Sequence, residues 1–405
     1  MVARVVKETL AVAPHGSADR CPGALHAIAA DDGALVRVRV PGGYVGVAAL
    51  RALATLAARY ADGSLDITAR ANVQLRGLRE ADLPALAAGL EAAGLLPSRA
   101  HERVRNIVAN PFAGADPGER IDVRPLVRAL DRAIVADPLL AALPPKFLFA
   151  IDGGGRSVDS RAADICAQAT PAAGLVRFVV AAGADARTSD VDAQDVVAVM
   201  LAFARHACSR GERIRGAAQL ARPPAHGNTV PGIIDSVAPD RINLIPSIRL
   251  ARLHAAQAHV LADVADAGAA DVRFTPWRGI AITDFPRAAL ARARAALQAA
   301  DMPLDARDGF AGIAACAGSG ACDAARADVR SDAFAYAALV AGSSAAHRTL
   351  NLAGCEKRCG MRRGADADLV AMSNGYDVWL HGERVATALA GPAALATVAR
   401  ARVGP

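Results

Sequence analysis

The sequence predicts an α+β protein in which one half is built twice, joined to a segment that gathers four cysteines. Three observations predict it: a repeated pair of motifs, an alternation of strand-like and alanine-rich stretches, and the placing of the cysteines. "CPGALHAI" (Cys21–Ile28) has an echo in "PGIIDSV" (Pro231–Val237). "LDITARANVQLRGL" (Leu65–Leu78) aligns with "VRFTPWRGIAITDF" (Val272–Phe285), placing Thr68 on Thr275. Both pairs share nearly the same offset, which argues against coincidence. Each copy reads as a strand-like piece, an alanine-rich helix (Val47–Tyr60; Ala251–Ala265) and two further strand-like runs.

Between the copies, "LPPKFLFAIDGGG" (Leu143–Gly155) reads as a strand entering a glycine turn, and "LVRFVVAAGADA" (Leu175–Ala186) as its hairpin partner. The glycine run lacks the downstream spacing of a dinucleotide loop, so no nicotinamide or flavin site is expected. "ARPPAHGNTVPG" (Ala221–Gly232) is the expected linker.

Composition narrows the function. With 405 residues, 53% of them hydrophobic, the chain exceeds one ordinary domain. No stretch approaches the roughly 20 unbroken apolar residues of a membrane span. "MVARVVKETLAVAPHGSADR" lacks a secretory apolar core, so a cytoplasmic protein without a membrane partner is expected. A net charge of +6 without a basic block, and 4% aromatics, argue against nucleic acid. A few arginines meeting an anionic small molecule fit better.

Seven cysteines is an odd number, and a cytoplasmic setting disfavours disulfides. Four lie in "CAGSGAC" (Cys316, Cys322) and "GCEKRC" (Cys355, Cys359), spaced C-x5-C and C-x3-C. Iron–sulfur clusters need converging thiolates with backbone amides free to donate to sulfur. Gly318 and Gly320 allow such a loop to turn tightly. Structural zinc more often uses C-x2-C pairs. Cys166 and Cys208 have no such company and read as ordinary thiols; Cys21 is unplaced.

Along Asn72–Arg76, alternation puts Asn72, Gln74 and Arg76 on one strand face and Val73 and Leu75 on the other. Such a polar face in an apolar chain suggests a lined cavity. The second copy has Gly279, Ala281 and Thr283 at these positions, so one half is expected to carry a working site. Arginine offers planar, bidentate donors to carboxylates.

The paired cysteine motifs resemble the cluster signature of the sulfite and nitrite reductase family. "DITARANVQLRG" is similar to that family's T-x-R-x-N-x-Q-x-x-G strand, "RNIVANP" (Arg105–Pro111) to its R-N segment and "LPPKF" to its lysine segment, and residues from about 20 to 390 are covered. The resemblance implies duplicated, pseudo-two-fold ferredoxin-like halves at 20–100 and 226–300. An α/β domain at 101–225 would carry substrate- and anion-binding segments, and one at 301–405 a 4Fe-4S cluster on Cys316, Cys322, Cys355 and Cys359. It also implies that Arg70, Asn72, Gln74, Arg76, Arg105, Asn106 and Lys146 bind the carboxylates of a tetrapyrrole.

Two departures bear on the activity. The reductases hold their oxyanion with a K-x-K pair, whereas Lys146 is followed two positions on by Leu148; and their "GCPNGCG" is here "GCEKRCG", with Glu356, Lys357 and Arg358. The opening "CPGALHAIAADDGALVRVRVPGG", the 67–77 strand and "LPPKFLFAIDGG" more closely resemble the precorrin-3B synthases of aerobic cobalamin synthesis. That implies a 4Fe-4S cluster plus a mononuclear non-haem iron, and precorrin-3A and O2 as substrates. It also implies hydroxylation at a meso carbon with γ-lactone closure, and an external electron donor, either ferredoxin or an NAD(P)H-dependent reductase. The alternatives are a sirohaem-dependent nitrite or sulfite reductase, and a non-catalytic iron–sulfur or tetrapyrrole-binding protein. No catalytic residue or ligand of the second iron is legible. His381 and Glu383 form the one H-x-E pairing, which reads as a hairpin turn at Gly382; His101, His226 and His347 read as surface or core histidines.

Overall fold

The computed structural model describes residues 12–13, 21–155, 158, 163–172, 175–183, 187–210, 230–343, 349–361 and 365–403. His226, His347 and residues 221–229 of the expected linker lie outside them.

Four groups of elements follow in chain order. The first is β1 (Val12–Ala13), β2 (Ala27–Ala30), β3 (Gly33–Val38), α1 (Gly46–Tyr60), β4 (Ser64–Ile67), β5 (Val73–Leu78) and α2 (Leu83–Ala92). The second is β6 (Ile107–Ala109), α3 (Arg124–Ala136), β7 (Phe149–Asp152), β8 (Ile165–Ala172), β9 (Leu175–Ala182), β10 (Arg187–Asp192) and α4 (Val196–Arg210). The third is β11 (Gly232–Asp235), β12 (Arg241–Ile245), β13 (Arg252–His254), α5 (Ala255–Ala267), β14 (Asp271–Phe274), β15 (Ile280–Pro286) and α6 (Leu290–Ala299). The fourth is β16 (Ile313–Ala315), α7 (Val329–Val340), β17 (Leu350–Ala353), β18 (Ala367–Met372), β19 (Gly375–Leu380), β20 (Glu383–Leu389) and α8 (Gly391–Val403).

The duplication is visible in the sheets. Strands β2-β3-β5-β4 of the first sheet and β11-β12-β15-β14 of the third share one order, a hairpin followed by the last and then the third strand. The repeated turn matches in its hydrogen bonds: Thr68 N–H donates to Asn72 O at 2.9 Å, and Thr275 N–H to Gly279 O at 3.0 Å. The threonine hydroxyl accepts from Asn72 N–H (3.2 Å) in one copy and Gly279 N–H (2.9 Å) in the other. Ala71 and Arg278 both take positive φ, at 54° and 64°.

The second and fourth groups also repeat each other. Each sheet keeps chain order, with two parallel pairings followed by two antiparallel ones. This second repeat left no trace in the sequence reading because the corresponding loops carry different side chains.

The halves are bound by exchange. β13, on the chain before α5, pairs with β4 of the first sheet, Leu253 opposite Leu65. Tyr44, just before α1, bridges Arg273 of β14. One apolar core runs through both halves, with Leu50, Leu53, Leu75, Leu261, Phe274 and Ile282 all fully buried. Burial on this scale, at about 25 cal/mol per Å², fixes the halves as one body.

Three expectations need correction. The second alanine-rich helix starts at Ala255, because residues 252–254 are drawn into the β4 edge. The hairpin partner of β9 is β8, which was not foreseen: "ICAQATPA" has little β-branched content and a proline near its end. β7 pairs with β8 in parallel, so Gly153–Gly155 open a crossover rather than a hairpin. Among the described residues no helix is long and apolar enough to cross a membrane.

The loops after β6 and β7 correspond to the cysteine loops. Arg120 N–H donates to Gly153 O, and Arg326 N–H to Gly354 O, both at 2.8 Å. In the second group, whose loops carry no cysteine, Asn110, Asp116 and Glu119 occupy the first loop, and Asn110 Nδ2 donates to Asp116 at 2.7 Å. Burial, with Asp116 and Asp122 nearby, pushes the Glu119 carboxyl from 4.5 up to about 8. The folded chain holds this proton where the unfolded chain has released it, so stability falls as pH rises from 4.5 through about 8. Glu119→Gln should remove part of that slope. Melting curves at pH 6 and pH 9 should show a smaller drop in the variant, by about 1–2 °C, and equal drops would exclude the effect.

Candidate functional site

β16 and β17 lie side by side in parallel, Ala315 opposite Leu352, so their C-terminal ends deliver Cys316 and Cys355 to one sheet edge. Cys316 N–H continues the ladder to Leu352 O at 3.2 Å. Gly354 N–H donates to Cys316 Sγ at 3.2 Å, the amide-to-sulfur contact that favours a thiolate. A side chain at Gly354 would place Cβ 2.7 Å from Ala325 Cβ and 3.4 Å from Cys316 Sγ. Only glycine lets the two loops close.

Gly318 and Gly320 take positive φ, 79° and 82°, and fold the C-x5-C loop back. Burial pushes the Cys322 thiol up, and Asp323, Cys316 and Cys355 add to it. Cys359 is exposed, and its carbonyl accepts from Arg278 Nη2 at 3.2 Å. All four thiols are free. Free thiols, an amide aimed at sulfur and a cradle that excludes side chains suit an iron–sulfur cluster. Among the described residues no three His, Cys, Asp or Glu side chains form a single-ion site.

The anion-binding segments expected from sequence meet. Asn72 is buried; its Oδ1 accepts from Val40 N–H (2.8 Å) and its Nδ2 donates to Asn106 Oδ1 (3.2 Å). Asn106 Nδ2 donates in turn to Arg103 O (2.9 Å) and Pro145 O (3.2 Å). Arg70 Nη1 donates to Lys146 O at 3.0 Å, while the Lys146 side chain is exposed. Leu148 is buried with Val108, Ala150 and Cys166, so no second cation stands on this segment.

Arg76 and Arg105 have carboxylate partners within the chain. Arg76 is held bidentately by Asp32 (2.8 and 2.9 Å) and also donates to Ala321 O inside the C-x5-C loop. Arg105 is buried and bidentate to Asp131 (2.7 and 2.8 Å). A substrate carboxylate would have to compete with those partners. Arg76 ties the polar strand to the cysteine loop, and Arg105 anchors its own segment to α3.

The sequence reading missed Arg37 and Arg39. "VRVRV" (Val36–Val40) alternates with period two and pairs with β5, Arg37 opposite Gln74, so both arginines join the polar face. Arg37 Nε donates to Gln74 Oε1 at 3.1 Å. Arg39 is 2% exposed. Its Nη2 reaches Pro22 O (3.2 Å) and Cys21 Sγ (3.8 Å), but its Nε and Nη1 have no hydrogen-bond partner. Burial, with Arg37 adding, lowers its pKa to about 10, so it is charged at neutral pH. Cys21 thereby lies beside the site, its Sγ donating to Pro145 O at 3.5 Å.

The remaining candidates are structural. His101 is buried between Ser98 Oγ (2.8 Å) and Asp137 O (3.0 Å). Cys166 is buried in an apolar cluster, and Cys208 Sγ donates to Leu139 O at 3.5 Å. His381 and Gly382 form the β19–β20 turn, with φ of 50° and 87°.

Comparison with known proteins agrees with the fold. The nitrite/sulfite reductase ferredoxin-like half domain matches residues 28–93 and 241–300. The nitrite and sulphite reductase 4Fe-4S domain matches residues 100–206, the group whose strand order recurs around the four cysteines. A precorrin-3B synthase from Sinorhizobium sp is 28% identical over 89% of this chain and 82% of its own. A ferredoxin–nitrite reductase from Leptolyngbya laminosa is 41% identical, but over 29% of this chain and 24% of its own. The structure of the Mycobacterium tuberculosis NirA protein superposes with a TM-score of 0.71, covering 91% of this chain and 80% of that one at 20% identity, a likeness of fold.

Proposed function

Because the chain belongs to the nitrite and sulfite reductase family, we propose that it binds a polycarboxylate tetrapyrrole across the β3–β5 face and acts as a precorrin-3B synthase. The observation that carries the reading is Arg39, a buried cation with two donors unmet on a face that also holds Arg37, Asn72 and Gln74. An unmet buried charge is costly to keep unless a ligand completes it. Arg70 and Lys146 supply further cations beside it, with Asn72 and Asn106 holding their segments in register.

The four cysteines would hold a 4Fe-4S cluster, which when bound supplies electrons one at a time from an external donor. Hydroxylation of precorrin-3A puts one atom of O2 into the substrate and releases the other as water, consuming two electrons and two protons. The arginine face grips carboxylates and orients the ring. The neutral Leu148 segment withholds the second cation that sulfite or nitrite would need, while O2, being neutral, loses nothing there. An acetate side chain held by these arginines would be poised for lactone closure.

The test is turnover of precorrin-3A by anaerobically purified protein under oxygen-18 gas with an artificial electron donor. Label is expected in the new hydroxyl group, with no sulfite or nitrite reduction. Label arriving from water, or brisk sulfite turnover, would overturn the synthase reading.

A further inference from the structure

We propose that Arg358 is the residue that sets the reduction potential of the cluster, by pinning a positive charge and the loop that presents Cys359; this rests on the cluster reading above. Arg358 stands one residue before Cys359 and takes φ of 46°, a left-handed conformation that glycine adopts freely and arginine does not. Its N–H closes a turn onto Cys355 O at 3.2 Å. Something must compensate the strain, and the side chain shows what does. The guanidinium lies over the Trp379 ring, 4.5 Å from its centroid, and pairs with Asp368 at 3.5 Å.

That platform is a row of directly opposed residues crossing four strands. Asn351 on β17, Asp368 on β18, Trp379 on β19 and Arg384 on β20 are consecutive register partners and share one sheet face. Asn351 Nδ2 donates to Asp368 Oδ1 (2.7 Å) and Met361 O (3.1 Å), and its Oδ1 accepts from Met361 N–H (2.8 Å). Gly360 fits only without a side chain, since Cβ there would lie 2.3 Å from Asn351 Oδ1. Residues 358–361 are thus clamped on both sides of Cys359.

The second group, whose corresponding loops carry no cysteine, serves as an internal control. Its corresponding row runs through Ala150 on β7, Cys166 on β8, Ala181 on β9 and Thr188 on β10; the first three are apolar and buried, and Val158 packs on them where the fourth group carries the C-x3-C loop. The polar row accompanies the cysteines. A four-cysteine cluster is anionic and gains a further negative charge on reduction, so a cation held one residue along the chain from a ligand would favour the reduced form.

Redox titration of reconstituted full-length protein, followed by the electron paramagnetic resonance of the reduced cluster, tests this. Arg358→Gly suits the backbone and should retain iron. At a fixed potential its ratio of reduced to oxidised cluster should fall about tenfold, equivalent to about 59 mV for one electron. Full iron with an unchanged potential overturns the proposal. Should that variant lose iron, Trp379→Leu decides on the same readout: a lowered potential supports the pinned charge, and an unchanged one overturns it. Cys359→Ser is run in parallel. Wild-type iron content and signal in that variant would fail the cluster assignment itself, a different result from a silent Arg358.

Discussion

Cys316→Ser is expected to fold, to retain only a small fraction of the wild-type iron and sulfide, and to lose activity altogether. Cys316 is tied into the scaffold twice: its backbone extends the β16–β17 ladder and its sulfur receives the Gly354 amide. A serine hydroxyl keeps the loop but is not deprotonated near neutral pH, and the thiolate is the ligand iron requires. Folding should survive, because the hydroxyl is small and can accept the same amide. Cys208→Ser, far from the loops, should keep full iron. Iron and acid-labile sulfide measured on both variants, with their melting temperatures, decide the matter. Unchanged content in Cys316→Ser would remove that residue from the cluster.

The second large effect has opposite signs on stability and binding. Arg39→Met should make the empty protein more stable by about 1–3 kcal/mol, because it replaces a desolvated, half-satisfied cation with an apolar chain of similar length. The same change should weaken binding of precorrin-3A about ten- to a hundredfold, since a charge-assisted contact contributes roughly 1.5–3 kcal/mol. Thermal melting and equilibrium titration of the two proteins test both signs. A less stable variant that still binds normally would make Arg39 a structural cation, held for Pro22 and Cys21 alone.

The sequence carried the duplication and the cysteine motifs because both are local patterns. Thr68 and Thr275 could be aligned by eye, since each closes the same turn with its own backbone and hydroxyl. The polar strand was legible by its period of two. What the sequence hid was pairing between distant residues. Nothing near Arg76 foretells Asp32, and nothing near Arg105 foretells Asp131, yet those carboxylates decide how each guanidinium is used. Arg37 and Arg39 were within reach, because "VRVRV" shows the same alternation as the strand beside it. They were missed for want of knowing which strand β5 pairs with. The second repeat was hidden more deeply, as its two copies share backbone geometry while their loops carry cysteines in one case and carboxylates in the other.

The exchange of β13 onto β4 has a consequence for how the chain is made. During synthesis the edge of β4 emerges long before residues 252–254, and at 5–20 residues per second the interval is about 10–40 s. For that time the nascent first sheet offers unpaired N–H and C=O groups, the template that invites another chain to add a strand. The equivalent segments of neighbouring nascent chains on one messenger would fit that edge as well as the chain's own. Crowded polysomes, rather than the finished protein, are therefore where misassembly is to be sought. A holdase that shields the edge until the third group of elements has left the ribosome should improve the soluble yield.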